Sequence, residues 1–173
     1  MAKMLSLGDV ALRALEPDDL DILYTWESET DAWASSNTVA PYSRHLLWEY
    51  LKTYDADIFK TKETRMVITC GEVPAGTIDV FNLDVRNRRA EVGVFVDSRH
   101  RGKGVGETAL QIVKRYAKTV LGLHQIYAIV ACSNQVARDA FRSVGFACYD
   151  CLTAIFGMAI SGMIINHIVD SQK

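Results

Sequence analysis

Net charge is almost absent from this chain: 19 Lys and Arg against 21 Asp and Glu leave −2 at pH 7. Without a basic excess there is no electrostatic footprint for a phosphate backbone, so nucleic acid is not an expected partner. Cysteine is sparse as well. Cys148 and Cys151 make a C-x-x-C, but Cys70 and Cys132 supply no second pair at ligand spacing, and the pair stands at the entrance to a strand-like segment rather than at a helix N-terminus. Neither a metal site nor a redox pair is expected. The N-terminus lacks a charged segment followed by an apolar one, which excludes a secretory signal and points to the cytoplasm. Residues 152–169 contain no Asp, Glu, Lys or Arg, yet Gly157, Ser161, Gly162, Asn166 and His167 interrupt them. That run reads as two buried strands joined by a turn at Ser161-Gly162, and no membrane partner is expected. Internal repeats and low-complexity tracts are missing too.

What remains is a globular composition, 49% hydrophobic and 23% charged over 173 residues. That length suits one well-buried domain, residues 1–173, and is short for two. Residues 4–15 alternate loosely around Val10, Leu12 and Leu15, as a strand does. Pro17-Asp18-Asp19 then starts a helix carrying Leu20, Ile22, Leu23 and Trp26. After a long polar connection containing Trp33, Ser43 is positioned to cap a second helix bearing Leu46, Leu47, Tyr50 and Leu51. Residues 64–70, 74–83 and 90–96 read as three consecutive strands with turns between them, an antiparallel meander. A helix follows with Ala109, Ile112, Val113, Tyr116, Ala117, Val120 and Leu121 on one stripe. A short strand over 126–131 and a helix over 134–144, with Val136, Ala137, Ala140, Phe141 and Val144 inward, precede the C-terminal strands.

The most telling residues are Arg101-Gly102-Lys103-Gly104-Val105-Gly106, between an apolar strand and an amphipathic helix. Glycines this close let several backbone N–H groups converge on one anion at the positive end of a helix, and Arg99, Arg101 and Lys103 add cations. A nucleotide P-loop is excluded, because Lys103 is followed by Gly104 rather than Ser or Thr. Gly104-Val105-Gly106-Glu107-Thr108-Ala109 fits G-x-G-x-x-A, but residues 121–127 offer no carboxylate to hold a ribose, which weakens the dinucleotide reading. An ordinary loop before a helix is the plain alternative. Arg101, Gly104 and Gly106 also satisfy Arg/Gln-x-x-Gly-x-Gly/Ala. Downstream stand Asn134, Ala137, Ala140-Phe141 and Val144-Gly145-Phe146, similar to N-x-x-A-x-x-L-Y-x-x-x-G-F.

Together these two motifs resemble the GNAT N-acetyltransferases. The resemblance runs from Val10 to the final strands and is sharp over residues 76–146. Gly76-Thr77-Ile78-Asp79, Arg89-Ala90-Glu91-Val92-Gly93 and residues 121–127 are similar to the spermidine/diamine branch and its ribosomal-protein acetyltransferase relatives. The resemblance implies an α/β (α+β) GNAT fold, a mixed, mostly antiparallel seven-stranded sheet flanked by helices in the order β-α-α-β-β-β-α-β-α-β-β. Periodicity alone gave largely the same order. The implied co-substrate is acetyl-CoA, held by Arg101, Gly102, Lys103, Gly104, Val105 and Gly106. Val94 and Val96 would pair with the pantetheine arm along a splayed strand, and Asn134 and Phe141 would complete the cofactor site.

Acetyl transfer to an amine needs an uncharged nitrogen. An alkyl amine has a pKa near ~10.4, so on the order of one molecule in a thousand is nucleophilic at neutral pH and a base must help. Glu91 is the candidate base; a solvated strand-end carboxylate is the alternative. The tyrosine that the resemblance would place as general acid is Phe141 here, which has no hydroxyl. Tyr116, Tyr127 and Tyr149 lie in apolar patterns that favour packing, so the thiolate would take its proton from water or the product ammonium. Glu27, Glu29, Asp31 and Asp84 fall where the family's acceptor groove lies, and would suit a cationic amine if they are not simply surface charge. The expected acceptor is a polyamine or small diamine. A protein N-terminus and a non-catalytic acyl-CoA-binding module are the alternatives. An apolar C-terminal hairpin also makes a homo-oligomer possible.

Overall fold

A computed structural model describes residues 4–30, 33, 40–149 and 162–167. The first strand-like stretch folds back at Gly8, where φ is 59°, and splits into β1 (Ser6–Leu7) and β2 (Val10–Ala14). A 3-10 turn at Pro17–Asp19 leads into α1 (Leu20–Glu27), which buries Leu23 and Trp26. Ser43 caps α2 (Arg44–Thr53), its hydroxyl accepting the Leu46 N–H at 3.1 Å. One further helical turn, α3 (Ile58–Thr61), is too short to leave a periodic signal in the sequence. The meander is β3 (Thr64–Cys70), β4 (Val73–Asp84) and β5 (Arg89–Val96). After it come α4 (Val105–Thr119), β6 (Gln125–Val130), α5 (Gln135–Ser143), β7 (Ala147–Tyr149) and β8 (Gly162–His167).

The strands form one sheet in the order β1-β2-β3-β4-β5-β6-β8-β7. The expected strand order is matched, with two-residue β1 as an addition, but β7 lies ahead of residue 152, where no strand is expected, and the strand expected between residues 152 and 161 lies outside the described residues. Every pairing is antiparallel except β5 with β6. Alternation along the strands gives two apolar faces. One face presents Ile68, Ile78, Val80 and Val92 to α4 and α5, packed with Ala109, Ile112, Val113 and Phe141. Burying side chains of this size contributes roughly 1.5–3 kcal/mol each. The other face carries Val67 and Phe95 against Leu23 and Trp26 of α1.

Three expectations need correction. Gly162 does not make a hairpin turn: it starts β8 opposite Val130, and β8 also pairs with β7, Cys148 facing Ile164 across the ladder. Ser161 and Cys151 lie outside the described residues. Val136 is 82% exposed, because it lies five residues before buried Phe141, about 140° round α5. Val120 is 54% exposed, because α4 ends at Thr119 and it is Leu121, not Val120, that reaches the core.

Candidate active site

The end of β5 is pinned before the glycine loop begins. Asp97, with a side chain only 3% exposed, accepts the Arg99 N–H at 2.9 Å and a fork from its guanidinium at 3.0 and 2.7 Å. Buried Trp26 of α1 donates its indole N–H to the same carboxylate at 2.8 Å. Arg99 first, then Trp26, hold this carboxyl well below the usual carboxylate range despite the opposing effect of burial.

From that anchor the chain passes through Gly102 and Gly104 at φ 72° and 75°, the left-handed region that side chains disfavour. Gly104 is the N-cap of α4 and has no side chain to accept the first helical N–H groups. The first intrahelical bond runs from the Thr108 N–H to the Gly104 carbonyl at 3.0 Å, so the helix claims none of the N–H groups of Val105, Gly106 and Glu107. A Cβ on Gly102 or Gly104 would meet no atom within 4 Å. Open space, unclaimed donors and the positive end of a 15-residue helix fit a diphosphate. The cationic side chains are engaged by the protein itself. Arg101 Nε donates to the Val96 carbonyl at 2.8 Å, its guanidinium lies over Phe95 and faces Glu29 at 3.4 Å, and Lys103 Nζ donates to the Arg99 carbonyl at 2.8 Å.

Beside the loop the sheet opens. β5 pairs with β6 only at Arg89, Ala90 and Glu91, opposite Gln125, Ile126 and Tyr127, although both strands run on to Val96 and Val130. The Asp97 N–H reaches the Ala75 carbonyl of β4 at 2.9 Å, which sets the phase of the ladder. The main-chain groups of Val94 and Val96, out of phase with Asp97, therefore point away from β4 into the gap. Asn134 caps α5 at the far side, its Oδ1 accepting the Ala137 N–H at 3.1 Å, which leaves the carboxamide NH2 as its remaining donor. Phe141 is 3% exposed and stacks edge-on to Phe146 at 4.9 Å between ring centres.

A cleft of about 750 Å³ joins this gap to the opposite face of the sheet. Val94, Asn134 and Phe141 line one part; Trp26, Glu27, Trp33 and Glu91 line the other. Glu91 is 9% exposed and occupies the last paired position before the strands part. Its Oε2 accepts the Asn82 amide at 2.9 Å, and Tyr127 is its partner across the ladder. Burial, then the charge of Glu91, push the Tyr127 phenol up, so it is a neutral donor at physiological pH.

Glu27 is not alone in the groove. Arg65 forks onto Asp79, its direct partner across β3 and β4, at 2.7 and 3.0 Å and reaches Glu27 with its other nitrogen at 3.0 Å. Burial opposes the Arg65 charge, but Asp79 outweighs it and the pKa rises. Tyr50 lies 5.9 Å below this guanidinium, its phenol pushed up to about 12 by burial. Glu29 and Asp84 are not among the residues lining the cleft. Glu29 faces Arg101, and Asp84 accepts the Asn87 N–H at 2.9 Å and Nδ2 at 2.7 Å, holding the β4–β5 turn. Asp31 lies outside the described residues. Arg65, Asp79, Asn82 and Asp97 are site residues that the sequence reading passed over; only strand register and long-range contacts assemble them. Among the described residues no His, Cys, Asp and Glu cluster could hold a metal, and no helix is long and apolar enough to cross a membrane.

A helix-capping glycine cradle, a parted strand pair and one continuous cleft define an acyltransferase architecture. Residues 9–147 match the family model of the acetyltransferase (GNAT) domain, and the chain belongs to that family. It is an N-acetyltransferase with acetyl-CoA as co-substrate. The spermidine N(1)-acetyltransferase of Escherichia coli K12 is 29% identical over 147 residues, spanning 83% of this chain and 76% of that protein. The crystal structure of Vibrio cholerae spermidine N-acetyltransferase with CoA and spermine aligns with TM-score 0.79 at 26% identity, covering 93% of this chain and 96% of that one. The ribosomal L7/L12 acetyltransferase RimL with CoA shares the fold, with TM-score 0.74 at 18% identity over 95% and 96% of the two chains.

Proposed function

We propose that this protein acetylates a primary amine in the cytoplasm, with a polyamine or small diamine as its preferred acceptor. The observation that carries the reading is Glu91 at the point where β5 and β6 part, in a cleft shared by the cofactor gap and an acceptor groove with Glu27 and Asp79. In this reading Gly102, Gly104, Val105 and Gly106 grip the diphosphate through their N–H groups, with Arg101 and Lys103 alongside. Val94 and Val96 pair with the pantetheine arm and polarise the thioester carbonyl. Glu91 takes one proton from the ammonium, the freed nitrogen attacks the carbonyl carbon, and the C–S bond breaks. Phe141 cannot protonate the leaving thiolate, so that proton comes from water or from the ammonium that the attacking nitrogen becomes. Glu27 faces a second ammonium of the acceptor. The relatives that act on spermidine support this choice.

A second reading, acetylation of a protein N-terminus, is favoured by Arg65. It offsets Glu27 and Asp79 together, and an acceptor with a single ammonium needs fewer unpaired carboxylates. Thiol release from acetyl-CoA with spermidine, spermine, short diamines and peptides bearing free N-termini separates the readings. Highest kcat/KM on spermidine or a diamine is expected. Highest values on peptides would replace the acceptor, and no thiol release with any amine would leave only an acyl-CoA-binding module.

A further inference from the structure

We infer that Asn82 is a positioning residue that orients Glu91 through a bulge built into β4. The inference rests on Glu91 being the base and goes beyond it, to what makes that carboxylate fit for the task. Opposite β5 the pairing of β4 is regular as far as Phe81 with Glu91 and resumes at Asp84 with Arg89. One residue more stands on β4 than on β5 between those pairs. In an unbroken strand Phe81 and Asn82 would face opposite sides of the sheet. Here Asn82 takes φ 52°, a left-handed conformation that asparagine tolerates better than most residues, and its Nδ2 reaches Glu91 Oε2 at 2.9 Å. Bulges of this kind re-aim a side chain.

The placement matters because of what surrounds Glu91. Its other neighbour across the sheet is Tyr127, at the last β5–β6 pair before the gap. Donors from β4 and β6 thus flank a buried carboxylate at the vertex of the parted strands, and Asn82 fixes Oε2 while Oε1 remains to accept a proton. Without the amide, Oε2 would lose its donor and the carboxylate would be less constrained in rotamer. The Asn82 side chain is itself exposed, so packing does not explain it.

Two substitutions separate the amide from the bulge. Asn82→Gly keeps a residue at ease at φ 52° and removes only the donor. Asn82→Asp keeps shape and backbone preference but sets a second carboxylate against Glu91. Steady-state kinetics on the preferred amine, with Glu91→Gln in parallel, provide the readout. Expected for Asn82→Gly are a kcat about tenfold lower, a KM for the amine within about twofold, and an acid limb of kcat/KM displaced upward by about one pH unit. Asn82→Asp is expected to displace the limb further in the same direction. A lower kcat with an unmoved limb would reduce Asn82 to a structural residue and overturn the inference, as would wild-type kinetics in both variants while Glu91→Gln is impaired. Wild-type kinetics in Glu91→Gln would instead remove the base, and the inference with it.

Discussion

Gly104→Ala tests the main-chain cradle with little else disturbed. Gly104 sits at φ 75°, and a Cβ there would meet nothing within 4 Å, so the cost is conformational rather than steric. Holding an L-residue in that region costs about 1–2 kcal/mol. For a domain of this size each kcal/mol moves Tm by about 2–4 °C, so the ligand-free variant should melt about 2–8 °C lower. If the loop relaxes to escape the strain, its N–H groups turn away from the diphosphate. Binding must then restore the strain or forgo hydrogen bonds worth about 1.5–3 kcal/mol each to a charged group. Either route raises the Kd for acetyl-CoA by about fivefold at least and on the order of a hundredfold at most. Gly71→Ala is the control. Gly71 has φ 61°, equally open surroundings and a place in the β3–β4 turn, away from the loop. Titration calorimetry should show normal affinity in Gly71→Ala and weakened affinity in Gly104→Ala to the extent that its Tm falls by less than the full strain. Equal affinities in the two variants, with the Tm of Gly104→Ala unchanged from wild type, would refute the cradle.

Glu91→Gln should lower turnover by on the order of 10² to 10⁴. The deficit should be widest at low pH, where unassisted free amine is scarcest; a pH–rate profile that keeps its shape removes Glu91 from the mechanism. Asp97→Asn should destabilise the fold by about 2 kcal/mol at neutral pH, since it weakens buried, charge-assisted bonds to Arg99 and Trp26. The folded carboxyl is held below its ordinary 3.8, so its contribution is complete above that pH and is lost as pH falls beneath it. Urea titrations from pH 6 to pH 2 should therefore show the gap between wild type and variant closing, and a constant gap would contradict the linkage. Glu27→Gln should raise KM for spermidine about fivefold with little change in kcat, the size of one partly screened ion pair. An unchanged KM would take Glu27 out of the acceptor groove.

The meander was legible because each of its strands alternates over several residues between strong turn signals. Thr64–Cys70 emerges with the bounds its sequence suggests, and the neighbouring strands differ by a residue at the ends. The glycine loop was legible for another reason: glycine adopts φ 72° and φ 75° without strain, so the backbone writes itself into the sequence there. Asn82 left no such trace. A single extra residue in Val80-Phe81-Asn82-Leu83-Asp84 does not disturb the apolar pattern enough to announce a bulge, and its target lies on another strand. Arg65 and Asp79 are separated by 14 residues and become neighbours only once the β3–β4 register is fixed. Glu27, Glu29 and Asp84 looked alike as acidic residues near a groove. Register and local bonding divide them, one inside the cleft, one on Arg101 and one spent on its own turn.

The two halves of the site are joined through α1. Its Trp26 is both a wall of the cleft and a donor to Asp97, 71 residues along the chain, while the next residue, Glu27, lines the same cleft. Past the helix, Glu29 meets Arg101 on the glycine loop. These ties are unequal. The Trp26–Asp97 bond is buried, short and charge-assisted, whereas Glu29–Arg101 is a half-exposed pair at 3.4 Å, a kind worth about 1 kcal/mol or less. A movement of α1 therefore passes into the base of the loop chiefly through Asp97, while the Arg101 guanidinium can leave Glu29 at little cost, its Nε still fixed to the Val96 carbonyl. Asp97 thus contributes geometry. Its charge is already spent on Arg99 and Trp26, and the loop's own N–H groups are what remain to receive an anion.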